Sequence, residues 1–320
     1  MNKNKVPSVL IIVLNWMKYE DTIACVQSLQ NLTYTNYTIC IIDNGSVNDS
    51  YKKLLEAFPQ ELCIQSKTNN GYAAGNLIGV NYAISHNYEL VWILNNDCTV
   101  RSEALTELVA AYKRHGNALY SNLTLMSENP DVIHYAGTYN IDEEVQPEKY
   151  PTYDKLKGKL LSDFKHTLQE KPARIYGHSM LIPTEVIKKH GFMDTKYFLF
   201  CEETDYTRSL YKKGVLSIFV PTAIITHIST STFKLSAEMK YVGMYYGTRN
   251  RVYFDKKFKL QGYTNLLQSK GGAWNLCKYF ISHVLSGKPK DADYYTNLGL
   301  LHGLLGIRGK VVKPEKFLVD

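Results

Sequence analysis

Two aspartates each stand just after a short apolar run. Thr38-Ile39-Cys40-Ile41-Ile42 leads into Asp43, and Val91-Trp92-Ile93-Leu94-Asn95-Asn96 leads into Asp97. An acidic cluster, Glu202-Glu203-Thr204-Asp205, opens a later amphipathic stretch. Open α/β sheets bind ligands outside the carboxyl ends of their strands. Carboxylates delivered there suit a nucleotide, a metal ion and a general base. Asp97 could hold Mg²⁺ or Mn²⁺ together with a substrate diphosphate, because hard cations prefer oxygen ligands. His227 could be a second ligand, or a hydrogen-bonded structural group. Glu202 or Glu203 could be a base whose pKa a neighbouring charge raises. Adjacent helical residues cannot share one face, so at most one of the two addresses a given atom. The same acids also suit the positive end of a helix dipole. Asp43 could accept a hydrogen bond from a base or ribose, or simply cap the Asn44-Gly45 turn. Arg249 and Arg251, flanking Asn250 behind Tyr245-Tyr246, carry forked donors that fit a diphosphate. Equally, they could form ordinary ion pairs on a helix surface.

The elements that must position these groups follow an alternating strand and helix rhythm. Val9 to Leu14 is continuously apolar, as expected of a strand buried on both faces. Ile23, Val26 and Leu29 recur at helical spacing. A strand ends at Asp43, a helix covers Tyr51 to Phe58, and Leu62 to Gln65 is a short strand. Gly71 and Gly75 lie in a loop entering a helix that runs to about His86. Glu89 to Leu94 is the fourth strand, and Ser102 can cap the helix after it. This rhythm predicts a mainly parallel sheet with helices on both faces. It breaks from Asn117 to about Arg174, where Pro147, Pro151 and the Lys155–Lys159 stretch suggest hairpins and a mobile loop. Order returns at Tyr176–Pro183, followed by a helix from Glu202 and a strand over Val215–Val220. After about Ser231 the pattern is helical and basic.

The chain has 320 residues, 45% of them hydrophobic and 21% charged, as in an ordinary globular protein. Residues 231–320 hold 15 Lys and Arg against 6 Asp and Glu, a surplus of nine, while the rest of the chain is slightly acidic. The asymmetry points to an anionic partner or to a solvated basic face. The six cysteines show no metal-type spacing and fit buried thiols in a reducing compartment. No signal peptide is visible, and no apolar stretch nears the ~20 residues that span a bilayer.

Taken together, the segments resemble the inverting family 2 glycosyltransferases, in particular the bacterial rhamnosyltransferase-like branch. Ile41-Ile42-Asp43-Asn44-Gly45-Ser46 resembles the base-binding segment. Asn69-Asn70-Gly71-Tyr72-Ala73-Ala74-Gly75-Asn76 is similar to the Asn-x-Gly-Phe-x-x-Gly-Asn loop. Leu94-Asn95-Asn96-Asp97 resembles the Asp-x-Asp-type metal segment, with Asn95 at its first carboxylate. Cys201-Glu202-Glu203-Thr204-Asp205 resembles the Glu-Asp-x-Asp catalytic segment, with Glu203 in place of Asp. His227 and Tyr245-Tyr246-Gly247-Thr248-Arg249-Asn250-Arg251 follow in the same order.

The resemblance implies a GT-A-type nucleotide-binding catalytic domain over residues 1–230. A basic helical C-terminal extension, 231–320, would contact acceptor or membrane. It implies transfer of a sugar, L-rhamnose from dTDP-rhamnose or another sugar from a UDP-sugar, to a saccharide acceptor in cell-surface polysaccharide synthesis. Asn15, Asp43, Asn70, Gly71, Asn76, Asn96, Arg249 and Arg251 would surround the donor. Asp97 and His227 would hold the divalent cation, and Glu203, or else Glu202, would be the base. The cysteines and the lack of a visible signal peptide point to the cytoplasm, and a lipid-linked acceptor would bring the protein to the inner face of the membrane. The apolar Trp274–Leu285 segment would then lie on that membrane or be buried against the catalytic domain. A dehydrogenase would show Gly-x-Gly-x-x-Gly after the first strand, where this chain has Asn15-Trp16-Met17-Lys18. A nucleotidyltransferase would show a Gly-rich phosphate loop there. A nucleic-acid binder would leave the acidic sites unexplained. A non-catalytic sugar-nucleotide-binding relative is the remaining rival.

Overall fold

A computed structural model describes residues 6–137, 156–172, 174–228 and 236–318. The expected mobile loop falls in part on 138–155, and the expected domain boundary at 230 on 229–235, both outside the described residues. The strands are β1 (Val9–Asn15), β2 (Tyr37–Asp43), β3 (Leu62–Gln65), β4 (Leu90–Asn95), β5 (Cys98–Val100), β6 (Leu119–Met126), β7 (Ile133–Tyr135), β8 (Lys171–Pro172), β9 (Ser179–Pro183) and β10 (Ser217–His227). The helices are α1 (Tyr19–Leu29), α2 (Ser50–Ala57), α3 (Tyr72–Ser85), α4 (Ala104–His115), α5 (Thr184–His190), α6 (Glu202–Tyr211), α7 (Met239–Phe258), α8 (Gly262–Ser269), α9 (Gly272–Ser286) and α10 (Ala292–Leu305).

One sheet runs in the order β3-β2-β1-β4-β9-β6-β10-β5, with β7 beside β6 and β8 beside β10. Its first half is parallel, β1 pairing with both β2 and β4. Its second half is mixed, because β9 runs antiparallel to β4 and β6, and β5 antiparallel to β10. The sheet is thus less parallel than the strand and helix rhythm predicts. Both faces are covered. Val9, Ile11 and Val13 of β1 pack with α1, α2 and α4, while Leu10 and Ile12 pack with α3, α5 and α6. This fold is the GT-A type, with the expected helical region following it.

The chain leaves β1 for β2 and β3 on one side, then crosses through α3 to β4 on the other. The order reverses at β1, so a crevice opens at the carboxyl ends of β1, β2 and β4. Asn15 and Asp43 lie side by side at this edge, as do Leu14 and Asn95. The α3 entry requires glycine. Gly71 has φ +86°, and a Cβ there would stand 2.1 Å from the Phe198 carbonyl oxygen.

The expected break after Asn117 is wrong at its start, since β6 lies inside the sheet. Its Ser121, Asn122 and Thr124 are polar yet buried; Ser121, Thr124 and the Asn122 Nδ2 are hydrogen-bonded, while the Asn122 Oδ1 has no partner among the described residues. β10 continues past Val220 to His227 through a bulge between Val220 and Ile224, where Pro221 offers no N–H to the ladder.

Arg249 of α7 does not face a ligand, contrary to the diphosphate role expected of it. The side chain is fully buried. Nε donates to Asn250 Oδ1 at 2.9 Å, Nη1 to the Gly309 carbonyl at 2.6 Å and Nη2 to the Tyr197 carbonyl at 2.8 Å. The rings of Tyr245, Tyr246 and Tyr253 surround it at 5.4, 4.7 and 5.8 Å. Arg251 is largely exposed and pairs with Asp255 at 2.8 Å. Among the described residues, no helix is long and apolar enough to cross a membrane.

Arg249→Lys keeps the charge and loses the fork. It is expected to destabilise the protein by about 2–3 kcal/mol, seen as a lower urea midpoint, with nucleotide affinity unchanged in the folded fraction. A loss of nucleotide affinity at unchanged stability would restore the diphosphate role.

Candidate active site

A cleft of about 380 Å³ occupies the crevice at the sheet's carboxyl edge. Leu14, Trp16 and Asn44 line one side, and Asn95, Asn96 and Asp97 another. The Phe198–Phe200 loop and His227 complete the inner wall, and Met239, Val242 and Pro314 of the C-terminal region close it. The helical extension therefore lends a wall to the cleft. Lys310 ties this wall to the loop before α3, its Nζ donating to the Asn69 carbonyl at 2.8 Å and to Glu315 at 2.6 Å.

Several expected site residues form the frame rather than the lining. Asp43 is fully buried and accepts from Asn15 Nδ2 at 2.8 Å and from the Ser46 amide at 3.0 Å. It fixes Asn15 and the turn after β2. Asn70 is exposed, its Nδ2 donating to Ser66 at 3.1 Å. Asn76 is buried on α3, donating to the Tyr72 carbonyl at 3.0 Å. Asn96 does line the cleft, with its Nδ2 donating to Thr22 at 3.0 Å and to the Lys18 carbonyl at 3.2 Å. Gly71 lines it through its backbone.

Trp16, Asn44 and Asn69 also line the cleft, the last two from the segments that resemble the base-binding turn and the Asn-x-Gly loop. Asn44 Nδ2 donates to Asn69 Oδ1 at 3.2 Å and to the Gly71 carbonyl at 3.1 Å, which shapes the loop. Trp16 Nε1 is buried with no hydrogen-bond partner among the described residues. The Asn44-Gly45 turn signal marked the segment but not the direction of its side chain.

Asp97 and His227 come together, with His227 Nε2 3.1 Å from Asp97 Oδ1. Their union follows from β5, whose Cys98 pairs with His227 across the antiparallel ladder. Ligand atoms of Asp97, Cys98 and His227 all lie within 4.8 Å of one another. The carboxylate and imidazole fit a divalent cation whose remaining positions a diphosphate would fill. Burial and the Asp97 charge push the Cys98 thiol well above its ordinary range, and its Sγ donates to the His178 carbonyl. It is the weakest of the three donors for a hard ion.

Two further histidines, neither foreseen, hold the His227 ring. His178 stacks on it at 4.7 Å and 14°, and His134 meets it edge-on at 5.6 Å. His178 is fixed by Thr124 at 2.7 Å. Burial, reinforced by His227 and His134, lowers the His178 pKa well below the usual range. Burial first and His227 second lower His134 to about 4. Both rings are therefore neutral at pH 7 and add no charge to repel a cation.

The acid pair opens α6 after three left-handed residues, Phe198, Phe200 and Cys201, each at φ 69°. Glu202 is buried, and its Oε2 has no hydrogen-bond partner among the described residues. Burial, then the Glu203 charge, raises its pKa well above the carboxylate range. Glu203 is half-buried, accepts from Thr204 at 3.1 Å and packs on Gly177. The Tyr72 hydroxyl donates to the Gly177 carbonyl. Burial raises the Tyr72 pKa, and the charges of Glu202, Glu203, Cys98 and Asp97 add to the shift. Tyr72 lines the cleft together with Asp97 and His227.

Residues 8–182 match Glycosyl transferase family 2. That match spans more than half of the chain, and the chain belongs to this family. A curated relative is the low-salt glycan biosynthesis hexosyltransferase Agl10 of Haloferax volcanii. It is 26% identical over 200 residues, which cover 61% of this chain and 59% of the relative. The chain thus spans under two thirds of that relative's length. Among solved structures, GalNAc-T7 with UDP, GalNAc and Mn²⁺ matches with a TM-score of 0.56 and 16% identity, over 70% of this chain and 44% of that one. At that identity the likeness is one of fold.

Glu202→Gln gives a test of the pair. A raised folded-state pKa means that the native protein holds a proton the unfolded chain releases. Stability therefore falls as pH rises above about 4.5, the ordinary value, until the folded group itself ionises. The neutral amide removes this loss. The variant is expected to gain on the parent by about 1 kcal/mol per pH unit in that window, read from thermal midpoints taken from pH 4.5 upward.

Proposed function

We propose that this chain is an inverting glycosyltransferase that moves a hexose from a nucleoside-diphosphate donor to a saccharide hydroxyl. The observation that carries the proposal is the Asp97–His227 pair, 3.1 Å apart, lining the cleft at the sheet's switch point together with Tyr72. Family membership supports the reaction class, and the hexosyltransferase relative supports a hexose. The rhamnosyltransferase-like motifs favour L-rhamnose on dTDP and an acceptor in cell-surface polysaccharide synthesis. A UDP-sugar is the second donor, favoured by the UDP that the GalNAc-T7 structure holds.

In this reading residues 1–230 carry donor and base, and 231–320 close the cleft. The nucleotide lies along the Asn15–Asn44 edge against Trp16 and the Asn69–Gly71 loop. Asp97 and His227 would hold Mg²⁺ or Mn²⁺, which supplies neutralisation for the leaving diphosphate. Glu203 takes the proton from the acceptor hydroxyl. The freed oxygen forms its bond to the anomeric carbon on the face opposite the diphosphate, whose bond to that carbon breaks. One such displacement inverts the configuration, as in inverting glycosidases. Trp16, Phe198 and Phe200 keep water from competing for the sugar. Glu202 is buried, so it is the less accessible of the two acids.

Glu203→Gln is expected to keep donor binding and to lower transfer by about 10²–10⁴-fold, followed as nucleoside diphosphate released with saccharide acceptors. An active Glu203→Gln beside a dead Glu202→Gln would reverse the assignment. A thermal-shift series with dTDP, UDP and their sugars tests the donor. Binding raises the midpoint by mass action, and the rise should require Mg²⁺ or Mn²⁺. In Asp97→Ala the metal-dependent part should disappear. Binding by the parent that is indifferent to metal would refute the role of Asp97 and His227.

A further inference from the structure

The sequence left the Trp274–Leu285 segment with two fates, and α9 meets neither fully. One side packs inward through Leu276 and His283, which are buried, and through Phe280. The other side is bare. Trp274 is 70% exposed, Ile281 60%, Val284 77% and Leu285 82%. At 3.6 residues per turn, Trp274, Ile281 and Leu285 fall within roughly 40° of one another. An apolar stripe of this kind on a helix usually marks an interaction surface. Its surroundings are rich in positive charge: residues 256–290 contain seven lysines and no acid, with Asp291 and Asp293 following at the start of α10. Lys278, Lys288 and Lys290 are exposed on or just beyond the helix, and Lys278 Nζ lies 5.3 Å from the Trp274 ring.

We propose that the outer face of α9 docks on an anionic lipid surface, with the helix lying in the plane of the interface. The apolar stripe would enter the acyl boundary, Trp274 would sit at headgroup level, and the lysines would reach up to the phosphates. Charge selects this occupant over a second copy of the chain, since apposing two α9 faces would bring their lysines together. α9 has 15 residues, too short to span, which leaves surface contact. The proposal is independent of the transferase reading, because neither the cleft nor the acid pair takes part.

The test uses the full chain and vesicles of phosphatidylcholine, with or without phosphatidylglycerol. The expected result is co-sedimentation with the mixed vesicles that weakens with salt, and blue-shifted tryptophan emission. Trp92 is fully buried and Trp16 half-buried, so the shift should vanish in Trp274→Phe. Trp274→Ser combined with Leu285→Ser should weaken binding ~10-fold or more at an unchanged thermal midpoint. Should that variant fold poorly, Lys278→Gln with Lys288→Gln and Lys290→Gln should weaken binding through charge alone. No binding to the mixed vesicles, equal binding to pure phosphatidylcholine, or full binding by the variants would overturn the proposal. So would a dimer, seen by light scattering, that the Trp274/Leu285 variant abolishes.

Discussion

The acid pair depends on a guanidinium that never meets a carboxylate. Residues 198–201 pass three times through left-handed backbone without a glycine, at a cost of about 1–3 kcal/mol for each residue. Such a path persists only if something over-determines it. Asn250 Nδ2 donates to the Tyr197, Leu199 and Phe200 carbonyls, and Arg249 takes a second bond to Tyr197. Neutral oxygens and tyrosine faces share the charge, which lets a cation sit in the core without an anion. Everything downstream inherits this geometry. The Phe198 carbonyl receives the Tyr72 amide at 2.8 Å and fixes the start of α3, while the carbonyl of Cys201 starts α6 and aims Glu202 and Glu203. Arg249 also holds Gly309, so the C-terminal wall is tied to the same point.

The metal-type pair depends on a different device. Asp97 follows β4, whereas His227 ends β10, 130 residues later. β5 closes that distance by pairing antiparallel with the end of β10. The His178 and His134 rings then limit the orientations open to His227. Because both flanking rings are neutral, orientation is gained without adding positive charge where a cation would bind. Burying them in the same shell as Thr124 and Tyr135 also explains why β6 tolerates polar residues facing inward.

What the sequence made legible follows from what local pattern can carry. β1, β2 and β4 were readable because strands buried on both faces need unbroken apolar runs, and their carboxyl ends locate Asp43 and Asp97. β6 was not readable, because its buried Ser121 and Thr124 find their hydrogen-bond partners in Tyr135 and His178, away from the strand. The Arg249 segment misled for a related reason. Forked donors beside an asparagine look the same whether their acceptors are phosphates or main-chain carbonyls, and only the fold tells them apart. His134 and His178 have no informative spacing, since a ring stack between separate strands leaves no period. The α9 stripe had the opposite defect: its two apolar sides gave an even hydrophobic pattern, and one turned outward.

The acid pair shows how one substitution relative to the family motif can be absorbed. Two adjacent acids at a helix start experience the same dipole, so the dipole cannot distinguish them. Burial does. Glu202 points into the interior, where its charged form loses water and gains only backbone donors, which pushes its pKa well above the carboxylate range. Glu203, by contrast, is half-buried. Glu203 is one methylene longer than the aspartate of the family motif, and the extra length must go somewhere. It lies against Gly177, where a Cβ would stand 3.1 Å from Glu203 Cγ. Gly177 also supplies the carbonyl that receives the Tyr72 hydroxyl. A side chain at 177 would press on Glu203 and disturb Tyr72 at once, so the longer acid and the glycine are best understood as one unit.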